Sequence, residues 1–239
     1  MTELLFRNDA YLKSAVGSVI LVSDQSGIVF DKSVFYPNSG GQAGDIGEIT
    51  WFDGNCCPIN NTVKTDDGSV MLMASEGAKL PAVGTACQQI LNWEKRYRHM
   101  RMHTALHLLS VVIPLPVTGG QITSEKGRLD FDMPDAPEDK QVLEDQLNNL
   151  IAGDYSVTTS WVSDSELLEN PGLVKTMSVK PPIGTGKVRL VKIANDSQII
   201  DLQPCGGTHV QRTSEIGSIT FGKIEKKGRQ NRRVSIRLS

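Results

Sequence analysis

The chain has 239 residues, of which 39% are hydrophobic and 22% charged, and its formal net charge is -2. This balance is typical of globular proteins, and the length suffices for one large domain or two smaller ones. The near-neutral charge gives no overall sign of a nucleic-acid-binding protein. It still leaves room for a local basic patch, because net charge averages over the whole surface.

The sequence gives no sign of export or membrane insertion. Its first residues, MTELLFRNDAYLKS, lack the basic segment and long apolar stretch of a secretory signal. The longest apolar run, at 108–117, is too short to span a bilayer and contains Pro114 and Pro116. Of the four cysteines, Cys56 and Cys57 are adjacent and poorly placed to pair with each other. We therefore expect a cytoplasmic protein with reduced thiols.

Residues 1–90 alternate short apolar runs with turn signals, a pattern typical of antiparallel strands. The turns between the runs are rich in Asp-Gly, Ser-Gly and Asn. The predicted strands fall at 17–23, 26–33, 44–54 and 66–74. The pattern indicates a small antiparallel barrel or sandwich.

From Trp93 onward the pattern becomes mixed. Apolar residues keep helical spacing from Trp93 to Pro114, and a second helix is predicted over 136–153, with Pro137 near its start and Gly153 at its end. Strand patterns follow at 155–162, 187–194, 197–203, 217–225 and 232–238. The predicted fold class is therefore α+β, with helices lying on an antiparallel sheet in this second part.

Three of the four histidines, His99, His103 and His107, are spaced four apart on the first predicted helix. Residues four apart lie on one helix face, so two adjacent imidazoles can bind one metal ion. All three cannot, because His99 and His107 would lie about 12 Å apart by the helical rise. Spacing alone does not choose between the two pairs. Thr104 stands where the metalloprotease motif HExxH has glutamate, which disfavours peptide hydrolysis.

A second candidate half-site is CGGTH at residues 205–209. Cys205 and His209 offer a thiolate and an imidazole, and Gly206 and Gly207 let the backbone come close to an ion. A turn with a buried cysteine and a helix with exposed histidines would explain the two segments separately. Together they offer nitrogen and sulfur ligands from two parts of the chain, and we predict a zinc site.

Four segments in order resemble the editing domain of alanyl-tRNA synthetase. They are FYPNSGGQAGDIG, HTALHLL, CGGTHV and TSEIGSITFGKIEKKGRQNRRVSI, and the resemblance covers nearly the whole chain. The chain is similar to free-standing alanyl-tRNA editing proteins of the AlaX type, in the medium-length class. That resemblance implies a translation-protein-like β-barrel at 1–90, a zinc-dependent editing domain at 91–239 and no aminoacylation activity.

The resemblance also implies a reaction. The chain is expected to hydrolyse mischarged seryl-tRNA(Ala), with glycyl-tRNA(Ala) as a further candidate. A site built for alanine rejects serine poorly, because one added hydroxyl costs little, so a second site must remove the error. Carried over by motif, the zinc ligands and catalytic centre are His103, His107, Cys205 and His209. Leu106 stands where the synthetase motif usually has threonine, so one polar contact of the family is missing.

The resemblance further implies that two segments border the substrate. The glycine-rich segment at 39–47 would place Gln42 near it, and Thr118, Gly120 and Gln121 would line the aminoacyl pocket by their position after the HTALH helix. The alternative is a tight turn in the first case and loop residues that satisfy backbone groups in the second. No ATP site is expected, because the GK[ST] of a P-loop is absent.

Two basic clusters are candidates for contact with tRNA, the expected partner. The first comprises Lys95, Arg96 and Arg98, and the second comprises Lys226, Lys227, Arg229, Arg232 and Arg233. A basic stretch is more often a solvated face than a binding surface. Both clusters are close in sequence to the family motifs, which favours phosphate contact.

Two other functions remain open. The chain could be a non-catalytic tRNA-binding module in which zinc is structural, since structural zinc contributes folding free energy directly. It could also be a deacylase for a different aminoacyl-tRNA, because related editing domains share the paired motifs. No carboxylate or histidine is marked by sequence as a general base. Zinc could activate water, or it could anchor the ester while a ribose hydroxyl assists.

Overall fold

The computed structural model describes residues 1–52, 54–137, 139–169 and 186–239. They form two compact units, Met1–Arg98 and His99–Ser239. A closed antiparallel barrel in the first unit, and helices with further antiparallel sheets in the second, confirm the predicted α+β class. Among the helices of these residues, none is long and apolar enough to cross a membrane.

The first unit is built on eight strands, six of which close into the barrel. The strands are β1 (Glu3–Leu4), β2 (Ser14–Val22), β3 (Gly27–Phe30), β4 (Lys32–Ser33), β5 (Gly47–Trp51), β6 (Asn55–Lys64), β7 (Val70–Ala74) and β8 (Ala86–Leu91). Around the barrel the order is β2-β3-β7-β6-β5-β8, and every neighbouring pair is antiparallel. Closure leaves these strands no free sheet edge.

The barrel core is aliphatic and aromatic. It is filled by the inward-facing residues of the strands together with Val34 and Phe35, which follow β4. Phe30, Phe35 and Ile49 are completely buried. Because side chains alternate between the two faces of a strand, the period-2 pattern of the sequence places these residues inside.

The second unit contains seven further strands and most of the helical residues. Its elements are α1 (Trp93–Val112), which begins in the first unit, β9 (Val117–Ile122), β10 (Lys126–Asp132), α2 (Lys140–Ala152), β11 (Ser156–Ser163), α3 (Asp164–Glu169), β12 (Lys187–Ala194), β13 (Ile199–Pro204), β14 (Ile219–Lys226) and β15 (Asn231–Leu238). The strands form two antiparallel sheets, one ordered β14-β15-β10-β9 and the other β11-β12-β13.

The observed elements match most predicted ones and differ at identifiable places. The helix from Trp93 and all five strands predicted after residue 154 are present. The second helix is shorter than expected, because it begins after Asp139, whose carboxylate caps the N–H groups of Gln141 and Val142. Five strands had not been predicted, namely β1, β6, β8, β9 and β10. Pro58 within β6 and the paired glycines of β9 weaken the usual strand signals there.

Candidate metal centre

Four side chains of the second unit converge on one point. They are His103 and His107, one turn apart on α1, and Cys205 and His209, which follow β13. Their potential ligand atoms all lie within 4.8 Å of one another. The sulfur of Cys205 is 3.5 Å from His103 Nε2 and 3.3 Å from His209 Nε2. His99 is not part of this group among the described residues. The structure therefore pairs His103 with His107, a choice that the helical spacing left open.

This donor set fits a zinc ion. A tetrahedral ion with Zn–S of about 2.3 Å and Zn–N of about 2.0 Å holds its sulfur and nitrogen ligands roughly 3.5 Å apart. The two sulfur–nitrogen separations given above match that spacing. The three histidines are buried and Cys205 is partly exposed. Three imidazoles and one thiol, brought together in a nearly dry site, have the chemistry that zinc prefers.

The sheet behind the cluster holds one of the imidazoles in place. The carboxylate of Asp201 lies 2.9 Å from His107 Nδ1. It also accepts a hydrogen bond of 2.8 Å from the side-chain amide of Gln203. Both residues are buried and lie on β13, whose alternation brings residues 201 and 203 to the same side. An oriented carboxylate on the outer nitrogen is typical of metal-binding histidines.

The CGGTH turn is braced from the adjacent strand. Arg189 on β12 is buried, and its Nη1 donates hydrogen bonds of 2.9 Å to the carbonyl oxygens of Cys205 and of Gly207. The backbone N–H of Cys205 donates to the carbonyl oxygen of Arg189, and that of Gly207 donates to the Cys205 sulfur. This turn therefore has a fixed shape, which keeps the sulfur directed at the three imidazoles.

The surroundings shift the proton affinities of the cluster. Burial acts to raise the pKa of the Cys205 thiol, but His103 and His209 outweigh it and hold that pKa well below its usual range. Burial and the neighbouring His103 lower the pKa of His209 well below its ordinary value. Burial also opposes the charged form of His107, but the hydrogen bond to Asp201 prevails and raises its pKa to about 9. The thiolate and the neutral imidazole are the forms that bind zinc, whereas binding at His107 displaces a proton.

Comparison with known proteins places the chain in a family. Residues 188–235 match the family described as the threonyl and alanyl tRNA synthetase second additional domain. The alanyl-tRNA editing protein AlaX-M of Methanosarcina acetivorans is 32% identical, with 98% of each chain covered. The chain belongs to the AlaX-M family. Another AlaX-M protein, from Saccharolobus solfataricus, is 30% identical over 98% of each chain. The resemblance inferred from the four motifs is thereby confirmed.

The alanine–tRNA ligase of Pyrobaculum arsenaticum shares the same region with this AlaX-M family member. It is 30% identical over 94% of the chain but over only 25% of the ligase. The similarity therefore extends to one part of a much larger enzyme.

Of the predicted substrate-binding residues, three lie on β9 rather than in a loop. The Thr118 hydroxyl donates to the carbonyl oxygen of Asp130 and accepts from the Asn231 amide. Gly120 and Gln121 are exposed, and the Gln121 side chain accepts a hydrogen bond from Arg128. These contacts give Thr118 a structural role in the sheet, and a role in substrate binding stays a prediction for all three.

The glycine-rich segment belongs to the first unit. Gly40 and Gly41 have φ values of 56° and 81°, a backbone conformation that favours glycine. The backbones of Ser39 and Gln42 bond to each other in both directions, which forms a tight turn. The Gln42 side chain is completely buried in this unit. Its contact with substrate stays a prediction.

Arg96 occupies a position that its sequence context did not indicate. It is completely buried in the first unit, where its guanidinium pairs with the carboxylate of Asp45 and donates to the carbonyl oxygens of Ala10 and Val34. The expected phosphate contact by Arg96 does not agree with this position, because a buried, fully engaged guanidinium cannot reach an RNA backbone. Lys95 and Arg98, its neighbours on α1, are partly exposed.

The second basic cluster lies on the hairpin of β14 and β15. Lys226, Lys227 and Arg229 are exposed there. Arg233 forms an ion pair with Asp130, which also binds Arg128, and Arg232 donates to the carbonyl oxygen of Pro134. The two arginines hold the pKa of Asp130 below its usual range, although burial opposes this. Within this cluster, the three residues nearest the hairpin tip are therefore more exposed than the two arginines on β15.

Proposed function

We propose that the chain is a trans-editing deacylase that hydrolyses the ester of mischarged seryl-tRNA(Ala) at a zinc site formed by His103, His107, Cys205 and His209. The observation that carries this proposal is the convergence of these four ligand atoms within 4.8 Å. It occurs in a chain whose relatives are named alanyl-tRNA editing proteins. Glycyl-tRNA(Ala) is a second candidate substrate for the same site.

A zinc ion bound there would act as a Lewis acid toward the ester carbonyl or toward water. The protein would supply the orientation. Asp201 fixes the His107 ring, and Arg189 fixes the turn that carries Cys205. Hydrolysis of an ester with a ribose hydroxyl as leaving group asks less of the protein than amide hydrolysis. The lower demand of ester hydrolysis agrees with the composition of the ligand group, which within the described residues consists of three histidines and one cysteine and includes no carboxylate.

Substrate would approach the centre from the side of Gly206. This residue is exposed, and an added Cβ there would meet no atom of the described structure within 4 Å. We propose that an aminoacyl ester enters on this side, next to Cys205, which is the partly exposed member of the cluster.

Selection of serine over alanine would require a polar group that meets the serine hydroxyl. A site that hydrogen-bonds a hydroxyl discriminates strongly against an analogue that lacks it, because the polar group of the site is then left unpaired. Thr118, Gly120 and Gln121 on β9 are the proposed residues of this part of the site. Thr118 already uses its hydrogen on the carbonyl oxygen of Asp130, so it could only accept from the substrate.

Contact with the tRNA backbone is proposed for the predicted cations that are exposed or partly exposed. On α1 these are Lys95 and Arg98, and on the β14–β15 hairpin they are Lys226, Lys227, Arg229, Arg232 and Arg233. Arg96 is left out because it is buried against Asp45. Phosphate contacts of this kind supply affinity without reading sequence.

The direct test is release of the amino acid from tRNA. Purified protein is incubated with seryl-, glycyl- and alanyl-tRNA(Ala), with and without a zinc chelator, and with zinc restored afterwards. We expect chelator-sensitive loss of serine while alanine is spared. Binding of tRNA without release of any amino acid would instead identify a binding module with structural zinc. Release from other mischarged tRNAs but not from tRNA(Ala) would identify a different deacylase.

A further inference from the structure

Thr104 lies between the two helical histidines and is completely buried, so it cannot touch a substrate. Its hydroxyl has three neighbours. The oxygen lies 2.9 Å from the carbonyl oxygen of Met100, 3.2 Å from His209 Nδ1 and 3.3 Å from the backbone nitrogen of Val210. The hydroxyl therefore joins α1 to the turn that carries His209.

The hydrogens in this contact can be assigned by counting. A threonine hydroxyl has one hydrogen to donate and two lone pairs to accept with. The Met100 carbonyl can only accept, at the shortest of the three distances, so it receives the hydroxyl hydrogen. The backbone N–H of Val210 can only donate. The hydroxyl therefore has only a lone pair left to offer His209 Nδ1. The contact between them is a hydrogen bond only if Nδ1 carries the hydrogen.

We propose that Thr104 is a positioning residue that fixes the tautomer of His209. With the hydrogen held on Nδ1, the lone pair of Nε2 faces the cluster, where Nε2 lies 3.3 Å from the Cys205 sulfur. Asp201 makes the equivalent contact to His107 with a carboxylate. His209 is thus oriented by a neutral group, which adds no negative charge beside the thiolate. This role rests on the metal site of the proposed function.

The proposal also explains the residue found at this place in the motif. The position after the first histidine of HxxxH carries a glutamate in metalloproteases, where that side chain serves as general base. Here the same position carries a buried threonine directed at a ligand from another segment. The Thr104 side chain therefore orients a proposed zinc ligand and does not contact the reacting ester.

The first experiment uses the unaltered protein. The nitrogen shifts and proton couplings of the His209 ring are recorded by NMR in the zinc-free and zinc-loaded forms. We expect hydrogen on Nδ1 in both forms. Hydrogen on Nε2 in the zinc-free protein would overturn the proposal, whatever any variant does.

The second experiment measures zinc affinity by chelator competition. Thr104→Val removes the hydroxyl and keeps the shape, and we expect its affinity to fall about 10–100-fold, as when an outer partner of a ligand is lost. Thr104→Ser keeps the hydroxyl and should stay within about threefold of the parent by the same reasoning. Equal affinity of the parent and Thr104→Val would contradict the proposal.

A matched control separates this effect from general loss of packing. Thr213 is also buried in the second unit, and its hydroxyl contacts the carbonyl oxygen of Ile151 and the N–H of Tyr155. Thr213→Val should lower stability without changing zinc affinity, and an equal loss of affinity in both valine variants would overturn the proposal. If the parent itself binds no zinc, the proposed metal site fails. If the parent binds zinc and Thr104→Val binds it equally well, only the role of Thr104 fails.

Discussion

Each of the two units buries a set of strongly polar side chains. The two sets differ in whether their hydrogen-bond donors and acceptors match each other. In the first unit, the guanidinium of Arg96 faces the carboxylate of Asp45 and two backbone carbonyl oxygens, so donors meet acceptors. In the second, three imidazoles and a thiol direct potential ligand atoms at one point. A buried set that matches its own donors and acceptors is structural, whereas convergent lone pairs indicate a site for a cation.

Asp45→Ala should have the largest effect on stability, because it leaves the Arg96 charge buried without its partner. We expect the free energy of unfolding of the first unit to fall by about 3–5 kcal/mol. Chemical denaturation followed by tryptophan fluorescence measures the loss, because two of the three tryptophans, Trp51 and Trp93, lie in the first unit. The zinc content per folded chain should not change. A variant as stable as the parent would contradict the structural role assigned to this pair.

Cys205→Ala tests the other set. Removing a proposed ligand should lower zinc affinity and seryl-tRNA(Ala) deacylation by more than about 100-fold, since loss of an outer partner alone costs 10–100-fold. The matched control is Cys56→Ala, which removes an exposed thiol of the first unit. Deacylation rates and zinc competition are measured for both variants. Full activity in Cys205→Ala would rule out the proposed centre.

Asp201→Asn should have a smaller effect, because it keeps the shape of the side chain while removing its charge. We expect zinc affinity to fall about tenfold, at the lower end of the range for outer partners of ligands. Asp132→Asn, on the sheet of β10, is a control for the loss of one negative charge. Equal affinities for the parent and Asp201→Asn would show that the carboxylate is not needed to orient His107.

Arg229→Ala should have the smallest effect and act on tRNA rather than on zinc. Loss of one phosphate contact should reduce the slope of log affinity against log salt by about 0.7–0.9. Arg237, exposed on β15 and outside the predicted cluster, provides the control substitution. The comparison uses tRNA binding at several salt concentrations. An equal slope for the parent and Arg229→Ala would remove this residue from the proposed surface.

The sequence predicted the parts of this molecule that depend on local pattern. Helical spacing ended by Pro114 predicted α1, and the HxxxH and CGGTH spacings predicted a metal site between two segments. The resemblance to the editing domain selected the four side chains that converge. The choice between His99 and His107 could not follow from spacing, because both lie four residues from His103. That choice depends on the position of the CGGTH turn after β13, which is set by tertiary packing.

The burial of Arg96 and the contact of Asp201 with His107 were not predicted from the sequence. Within the basic stretch KRYRHMR nothing distinguishes the one arginine that is buried, since its partner Asp45 is 51 residues away. Asp201 left a weak signal that could have been used. Polar residues at 201 and 203 alternate with apolar ones and continue in phase to Cys205, so one face of β13 is polar where a buried strand should be apolar.

The most direct test of the convergent set is zinc stoichiometry together with X-ray absorption at the zinc edge of the purified protein. The predicted result is one zinc per chain, with one sulfur at about 2.3 Å and nitrogen ligands at about 2.0 Å. A protein without zinc, or a zinc ion with no sulfur ligand, would contradict the assignment of Cys205 and the three histidines to a metal centre.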